Sequence, residues 1–212
     1  MNNFLIRPIE GYKYSEYLLV LDPHEYLREK INQVKKDFSE KYNAPTTISS
    51  KPYIILANFV QFEIREAPLL NRLKSITMCH SPFKVVLKDY GSFPSHTIYI
   101  NIESKQQVKN LVTELKPAQQ LMALNKDNKA HFIDNPYLTI ARKLLPWQYE
   151  KGWLNYSNSY FTGSFIAEEM LLLKRPLEIR DDGSFQAGKY KMIQQFRFMN
   201  LPVNTKQGEI FG

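Results

Sequence analysis

Two short stretches of nearly the same sequence hold the residues best suited to chemistry. Residues 52–57 are Pro-Tyr-Ile-Ile-Leu-Ala, and residues 136–141 are Pro-Tyr-Leu-Thr-Ile-Ala. Each is an apolar run opened by Pro-Tyr, so Tyr53 and Tyr137 occupy equivalent positions. A tyrosine hydroxyl can donate a hydrogen bond to a phosphate oxygen, and a tyrosine ring can stack on a base. The repeat predicts two copies of one supersecondary unit, each contributing one tyrosine.

Strand geometry predicts which side chains accompany the two tyrosines. Successive side chains of an extended strand point to opposite faces. Tyr53 therefore shares a face with Ile55, and Tyr137 shares a face with Thr139. We expect the two strands to be central in the fold and to face each other across a cleft.

Four histidines are further candidates, because imidazole titrates near neutral pH. His24 is predicted at the surface in the first turn of a helix, and His80 in a loop. His96 and Thr97 are adjacent, so we expect them on opposite faces of a strand and interpret His96 as structural. His131 precedes the second Pro-Tyr strand in a predicted loop, close enough in sequence to lean into the cleft.

No other catalytic or metal-binding motif is present in the sequence. It has no Gly-rich phosphate loop, no His-Glu-x-x-His, no Cys-x-x-Cys and no Gly-x-Ser-x-Gly. We therefore predict neither a metal nor a cofactor. Asp181 and Asp182 precede a glycine, which indicates a turn. The single cysteine, Cys79, excludes an intrachain disulfide and predicts a reducing cytoplasm.

Length and charge bound the class of protein. The 212 residues suffice for one large domain or two small lobes, and the formal charge is +7. A basic surface favours polyanions such as nucleic acid or nucleotides, although well-spread lysines equally serve solubility. No segment approaches the ~20 apolar residues of a membrane span, and the N-terminus lacks a signal-peptide core. We predict no membrane association.

Hydrophobic periodicity predicts the elements that position these residues. Tyr17–Leu21 is predicted as a strand, followed by a helix with Asp22 as N-cap and Pro23 in its first turn. The spacing of Leu27, Ile31, Val34 and Phe38 predicts the apolar face of that helix, and Lys35 is predicted on its solvated face. Residues 144–156 form either a short helix or an aromatic-rich loop. The remaining strands are predicted at 52–62, 83–88, 97–102, 136–141, 163–174 and 189–199, and the helices at 66–77 and 104–115. This mixture predicts an α+β fold with a mixed or antiparallel sheet.

This order of elements resembles the 2H phosphoesterase superfamily, in particular its 2'-5' RNA ligase-like branch. The resemblance covers most of residues 16–198. Its segments are Tyr17–Phe38 for the opening strand and helix, Lys51–Val60 and Asn135–Leu144 for the motif strands, Phe93–Ile102 for the strand before the middle helix, and Phe165–Leu172 with Lys189–Phe198 for the closing hairpin. The resemblance implies a single bilobal domain over 1–212, in which two similar antiparallel or mixed sheets face a central cleft with helices outside.

The resemblance also implies a chemistry that this sequence departs from. In the family, each motif strand carries a histidine and, two residues later, a Thr or Ser. One imidazole acts as base and the other as acid on 2',3'-cyclic phosphates or 2'-5' linkages, while the hydroxyls hold phosphate oxygens. Here Tyr53 and Tyr137 replace both histidines, Ile55 replaces the first hydroxyl, and Thr139 is retained. Tyrosine has a reference pKa of about 10, so at pH 7 it is roughly a thousandfold short of ionised.

Three hypotheses follow. The sequence favours a non-catalytic protein that binds a nucleotide, an RNA end or another phosphorylated ligand through Tyr53, Tyr137, Thr139 and Arg142. Arg142 stands where the family motif often has Arg, although local packing or pairing explains it equally well. The second hypothesis is a working phosphodiesterase or RNA ligase in which one of the tyrosines acts with a neighbouring Lys or His. The third is a scaffold without a ligand, in which both tyrosines fill space.

Overall fold

The computed structural model describes residues 9, 11–179 and 185–202 of the chain. The strands are β1 Tyr14–Leu21, β2 Ile54–Phe62, β3 Phe83–Phe93, β4 Thr97–Ile102, β5 His131–Phe132, β6 Tyr137–Arg142, β7 Thr162–Ala167, β8 Glu169–Ile179, β9 Phe185–Ala187 and β10 Lys191–Arg197. The helices are α1 Glu25–Tyr42, α2 Glu66–Cys79, α3 Lys105–Leu115, α4 Gln119–Met122 and α5 Pro146–Tyr156. The predicted α+β class is confirmed.

The strands form one antiparallel sheet in the order β10-β8-β1-β2-β6-β4-β3-β7, with β5 added to β2 and β9 added to β8. We call β10, β8, β1 and β2 the terminal half-sheet, and β6, β4, β3 and β7 the central half-sheet. The described backbone pairing between β2 and β6 is limited to Ile54 opposite Leu138. The two predicted sheets are therefore joined at one residue pair, between the two Pro-Tyr strands.

The main core lies on one face of this sheet. Alternate strand residues such as Leu19, Ile54 and Leu138 are fully buried there. Each helix contributes a side chain to the same core; these are Phe38, Leu73, Leu111, Met122 and Tyr149. Among the described residues, no helix contributes to the apolar clusters elsewhere in the chain. We call the side of the sheet away from the helices the open face.

Helix α1 has the predicted apolar face, with Leu27 and Ile31 buried, but its predicted start is wrong. The helix begins at Glu25, and the N-cap is His24, whose Nδ1 accepts a hydrogen bond from the Leu27 N–H at 3.2 Å. The carboxylate of Asp22 instead pairs with Arg28 at 2.7 Å. The imidazole thus satisfies one free N–H of the first turn, and Asp22 makes no capping bond.

The predicted strand at 163–174 is also wrong, because two strands share this run. Strand β7 ends at Ala167 and pairs with β3, whereas β8 begins at Glu169 and pairs with β1. The chain thus passes from one outer edge of the sheet to the terminal half-sheet within a continuous apolar pattern. The uncertain segment 144–156 contains helix α5, and the predicted turn at Asp181 and Asp182 lies outside the described residues.

None of the helices in the described ranges is long and apolar enough to span a membrane. The interpretation of residues 1–212 as one bilobal domain stays a prediction.

Candidate ligand-binding site

The four motif positions surround the residue pair that joins the half-sheets. Ile54 and Leu138 are opposite each other and fully buried in the core. Because strand side chains alternate between faces, the residues beside this pair project to the open face. They are Tyr53, Ile55, Tyr137 and Thr139. The two motifs, far apart in sequence, are therefore adjacent in the fold.

On the terminal side, the motif is part of an apolar cluster. Tyr53 and Ile55 pack against Val20, Leu171 and Leu173, which are buried although they are not in the main core. The ring of Tyr190 packs on the same cluster. This packing around Tyr53 is what the space-filling hypothesis expects, and Ile55 offers no hydrogen bond there.

Beside this cluster, the positive charge of Arg175 on β8 is already neutralised by a carboxylate. Arg175 donates from Nε to Oε2 of Glu16 at 2.6 Å, and its Cζ lies 4.5 Å from the Tyr190 ring centroid. Asn58 donates to the other carboxylate oxygen of Glu16 at 2.9 Å. Burial and then the charge of Glu16 raise the pKa of Tyr190, while Arg175 opposes the rise. Arg175 is thus committed to an internal network.

On the central side, three aromatic rings pack together. The ring centroids of Phe93, Tyr99 and Tyr137 lie 4.8 to 5.1 Å apart in all three pairings. We call these residues the aromatic triad. Each ring is half-buried, and Tyr99 is the direct strand partner of Thr139. Burial and then the neighbouring Tyr137 raise the pKa of Tyr99. The triad therefore lies beside the retained threonine.

The ring of Tyr99 can lie against strand β3 because residue 91 is a glycine. Gly91 is opposite Tyr99 in the β3–β4 pairing. A Cβ atom at Gly91 would lie 2.5 Å from Cε2 and 2.7 Å from Cζ of Tyr99. The ring therefore occupies the space above the Gly91 backbone, where any side chain would displace it.

Polar groups on the central side are available to a ligand. Over the described part of the chain, the side-chain hydroxyls of Tyr137 and Thr139 have no hydrogen bond to protein, and the same holds for Tyr53. Arg142 is exposed and forms no ion pair with a described residue. It pairs with Thr97, next to the core-facing pair of Ile98 and Ala141, so it projects to the open face. The local ion pairing considered for Arg142 is thus not observed within those ranges.

Lys35 is a functional candidate that the sequence placed wrongly on a solvated face. Its side chain is almost completely buried, and Nζ donates to the carbonyl and to the hydroxyl of Ser50, the latter at 3.0 Å. Burial, with a smaller effect of Arg142, lowers the pKa of Lys35 to about 8. The contact fixes the segment that leads into Tyr53 against helix α1.

His131 lies on the open face. Strand β5 pairs with β2 so that His131 is opposite Asn58, whose side chain bonds Glu16. Direct strand partners share a face, so His131 projects to the same side as the motif positions. It is exposed and lies in strand β5 instead of the predicted loop, and the expectation that it leans into the site stays a prediction.

The other histidines have local roles. His96 lies in the turn before β4, and its Nδ1 is 2.6 Å from the Thr97 hydroxyl, so the predicted placement on opposite faces of a strand is wrong. Nδ1 of His80 is 2.6 Å from Oε2 of Glu114. Across the described residues, no group of three or more His, Cys, Asp or Glu side chains is placed to hold a metal ion.

The two described surface cavities lie elsewhere. One of about 420 Å³ lies between α2 and β10, and one of about 510 Å³ lies beside Tyr12 and Glu63. Neither contains a motif position. The candidate site is therefore defined by the side chains that the two motifs bring together and not by either of these cavities.

Comparisons with known proteins relate most of the chain to one family. The model of the 2'-5' RNA ligase superfamily matches residues 23–177. A comparison with curated protein sequences gives no significant match.

Several solved structures have a similar fold. The protein TT0787 of Thermus thermophilus is 15% identical with a TM-score of 0.57, and the alignment covers 87% of this chain and 98% of that protein. Escherichia coli LigT complexed with 3'-AMP is 12% identical with a TM-score of 0.56 and the same two coverages. LigT complexed with ATP is 12% identical with a TM-score of 0.51, over 88% of this chain and 98% of LigT. At these identities, the likeness concerns the fold.

Proposed function

The chain belongs to the 2'-5' RNA ligase superfamily, and we propose that it is a non-catalytic member that binds a phosphorylated ligand on its open face. The ligand class comprises nucleotides, RNA ends and other phosphorylated molecules. The observation that carries the proposal is the grouping of Tyr53, Tyr137 and Thr139 on one face around the Ile54–Leu138 pair. The hydroxyl groups of these residues, together with the nearby cation Arg142, can donate hydrogen bonds to phosphate oxygens.

Each binding group has a distinct role in this proposal. The hydroxyls of Tyr137 and Thr139 donate hydrogen bonds to phosphate oxygens, and the hydroxyl of Tyr53 adds a donor from the other half-sheet. Arg142 attracts and orients the anion, since its guanidinium presents several N–H donors and is not engaged by a described carboxylate. Lys35 positions the Tyr53 segment through Ser50.

The solved relatives support a phosphorylated ligand. E. coli LigT was crystallised with 3'-AMP and with ATP, and both molecules carry phosphate. The present chain aligns with nearly the whole of LigT. We extend to this chain the shared feature of those ligands, a nucleotide phosphate.

The proposal that catalysis is absent rests on the motif side chains. General acid–base catalysis near pH 7 needs groups that gain and lose a proton in that range. Phenols replace both imidazoles of the family motif, and Ile55 places an apolar side chain where a hydroxyl holds the phosphate. The chain therefore retains donors for binding and lacks the proton-transfer pair.

Calorimetric titration with 3'-AMP tests the proposal. We expect binding that weakens with salt, because the ligand is anionic and the Arg142 side chain is exposed. Thr139→Val and Tyr137→Phe remove single hydroxyls and should each weaken binding about five- to tenfold. Thr113→Val and Tyr26→Phe remove exposed hydroxyls from helices and serve as matched controls. Failure of the wild-type protein to bind would contradict the proposal.

The position of His131 favours one alternative, a working phosphodiesterase. This imidazole is exposed opposite Asn58, on the same face of the sheet as the motif side chains. Turnover of a nucleoside 2',3'-cyclic phosphate that disappears in His131→Gln would establish this alternative. The binding proposal expects no turnover by either protein.

We also propose that the protein acts in the cytoplasm. The free thiol of Cys79 is exposed, and a reducing compartment keeps such thiols reduced. Recovery of the protein in the cytoplasmic fraction with Cys79 reduced would support this location, whereas recovery from an oxidising compartment would contradict it.

A further inference from the structure

The two sides of the site differ in chemistry. On the terminal side, Ile55 and Tyr53 pack on the cluster of Val20, Leu171 and Leu173. Arg175 there donates a hydrogen bond to Glu16 and lies over the ring of Tyr190. Around Tyr53 and Ile55 this side is therefore apolar apart from the Tyr53 hydroxyl, and the neighbouring polar groups of Glu16, Asn58 and Arg175 already bond to one another.

The central side carries both kinds of contact that a nucleotide needs. The aromatic triad presents half-exposed rings, and the ring of Tyr99 fills the space over the Gly91 backbone. Aromatic surfaces bind bases by stacking. Thr139 is the direct strand partner of Tyr99, so a hydroxyl lies at the edge of this platform.

The phosphate donors lie along the same strand. Thr139 and Arg142 both project from β6 to the open face, and the intervening Ile140 and Ala141 are buried. Three residues of a strand span roughly 10 Å at about 3.3 Å per residue. The long side chain of Arg142 can extend along the strand towards Thr139. Both residues can therefore contact one phosphate group.

We propose that the site is one-sided, and that its ligand is a mononucleotide whose base and phosphate are both held by the central half-sheet. The aromatic triad stacks on the base, and Thr139 with Arg142 binds the terminal phosphate. The cluster around Tyr53 and Ile55 on the terminal half-sheet forms an apolar wall. This inference rests on the proposed function and departs from a phosphate clamped equally between two motifs.

The test compares ligands that differ only in the base. Titration with 3'-AMP and with ribose 3-phosphate keeps the phosphate position and removes the ring. We expect ribose 3-phosphate to bind at least tenfold more weakly, in keeping with the contribution of one stacked base. Equal affinities would overturn the one-sided site and leave the proposed function intact. Failure of both ligands to bind would overturn both proposals.

Matched variants locate the base. Phe93→Leu removes a ring of the triad and should weaken 3'-AMP binding about fivefold while changing ribose 3-phosphate binding less than twofold. Phe62→Leu removes a half-buried ring of the terminal half-sheet and is the control. Gly91→Ala displaces Tyr99 and should reproduce the Phe93→Leu pattern; circular dichroism and urea unfolding verify that the variants fold.

A comparison of the two motif tyrosines completes the test. Tyr137→Phe should weaken 3'-AMP binding at least threefold more than Tyr53→Phe does, because each variant removes only a hydroxyl and only that of Tyr137 lies on the half-sheet that holds the phosphate. Equal losses in the two variants would show that both half-sheets share the ligand and would overturn the inference.

Discussion

Arg175 on β8 and Glu16 on β1 are direct strand partners and form an ion pair whose carboxylate is only 8% exposed. Replacing one member of such a pair leaves the other charge buried without compensation. We expect Arg175→Met to lower the free energy of unfolding by about 3–5 kcal/mol, measured by urea unfolding near pH 7. Adding Glu16→Gln to this variant should restore part of the loss.

The exposed pair of Lys88 and Glu103 provides the control for this prediction. Both side chains are more than half exposed, and the charged atoms lie 3.0 Å apart. Lys88→Met should leave the free energy of unfolding nearly unchanged, because water already solvates both charges. Equal losses in Arg175→Met and Lys88→Met would contradict the assignment of Glu16 as a buried charge.

Tyr17 tests the polar contacts at the core boundary. Its ring is fully buried and stacked on Phe59, while its hydroxyl donates to Oε2 of Glu66 at 2.9 Å. Tyr17→Phe keeps the packing and removes a hydrogen bond to a charged acceptor. We expect a loss of about 1.5 kcal/mol in the free energy of unfolding. Tyr26→Phe, at an exposed site on α1, should show no measurable change.

Lys35 predicts a pH dependence of stability. Its folded-state pKa is lowered to about 8 from the ordinary value of 10.5. Between these values the unfolded chain binds the proton more strongly than the folded chain does, so this group's contribution to stability rises with pH. Below about pH 8 both states are protonated, and the contribution stays at its minimum.

The measurement compares wild type with Lys35→Met at pH 7.5 and 9.5. The stability of wild type relative to the variant should rise with pH, by no more than about 1.4 kcal/mol per pH unit. Burial raises the pKa of tyrosines such as Tyr156, so their contribution to stability falls as pH rises. The difference between wild type and variant cancels this contribution. Lys109→Met, on the exposed side of α3, should show no such difference; a flat result for Lys35→Met would refute the buried titration.

Arg142 predicts the salt dependence of ligand binding. Arg142→Gln should weaken 3'-AMP binding about three- to tenfold at low salt and less at high salt, because exposed charges are screened. Lys143→Gln makes the same change in net charge at the next residue. Calorimetry with both variants separates a local contact from the general attraction of a basic protein, and equal losses would argue against a contact with Arg142.

The sequence was sufficient where local periodicity decides the structure. The alternation through β2 and β6, with the repeated Pro-Tyr, predicted two central strands, and the structure pairs them. The spacing of Leu27, Ile31 and Phe38 likewise predicted the buried face of α1. These patterns arise from the geometry of one element and need no knowledge of its neighbours.

The errors concern contacts that are distant in sequence. The run containing Ala167 and Glu169 looks like one strand, because only pairing with β3 and β1 divides it. Lys35 follows a polar helical pattern, and nothing nearby reveals that Ser50 accepts its hydrogen bonds. Asp22 has the sequence of an N-cap, but Arg28 engages it.

The candidate site was predicted only in part for the same reason. Tyr53, Tyr137 and Thr139 were identified by their repeat, whereas the triad draws Phe93 and Tyr99 from two other strands. The alternation of Thr97, Tyr99 and Asn101 indicated a common face for part of β4. It gave no sign that Tyr137 would lie against Tyr99.

The proline that opens each motif bears on why, among the described residues, the half-sheets pair only at Ile54 and Leu138. Pro52 and Pro136 each stand two residues before their member of that pair. Proline has no N–H to donate, so neither position can add that bond to the ladder. Beyond Leu56, β2 pairs with β5 instead of β6. Neither proline can therefore extend the β2–β6 pairing, and in the described chain the half-sheets are joined at a single residue pair between the motif side chains.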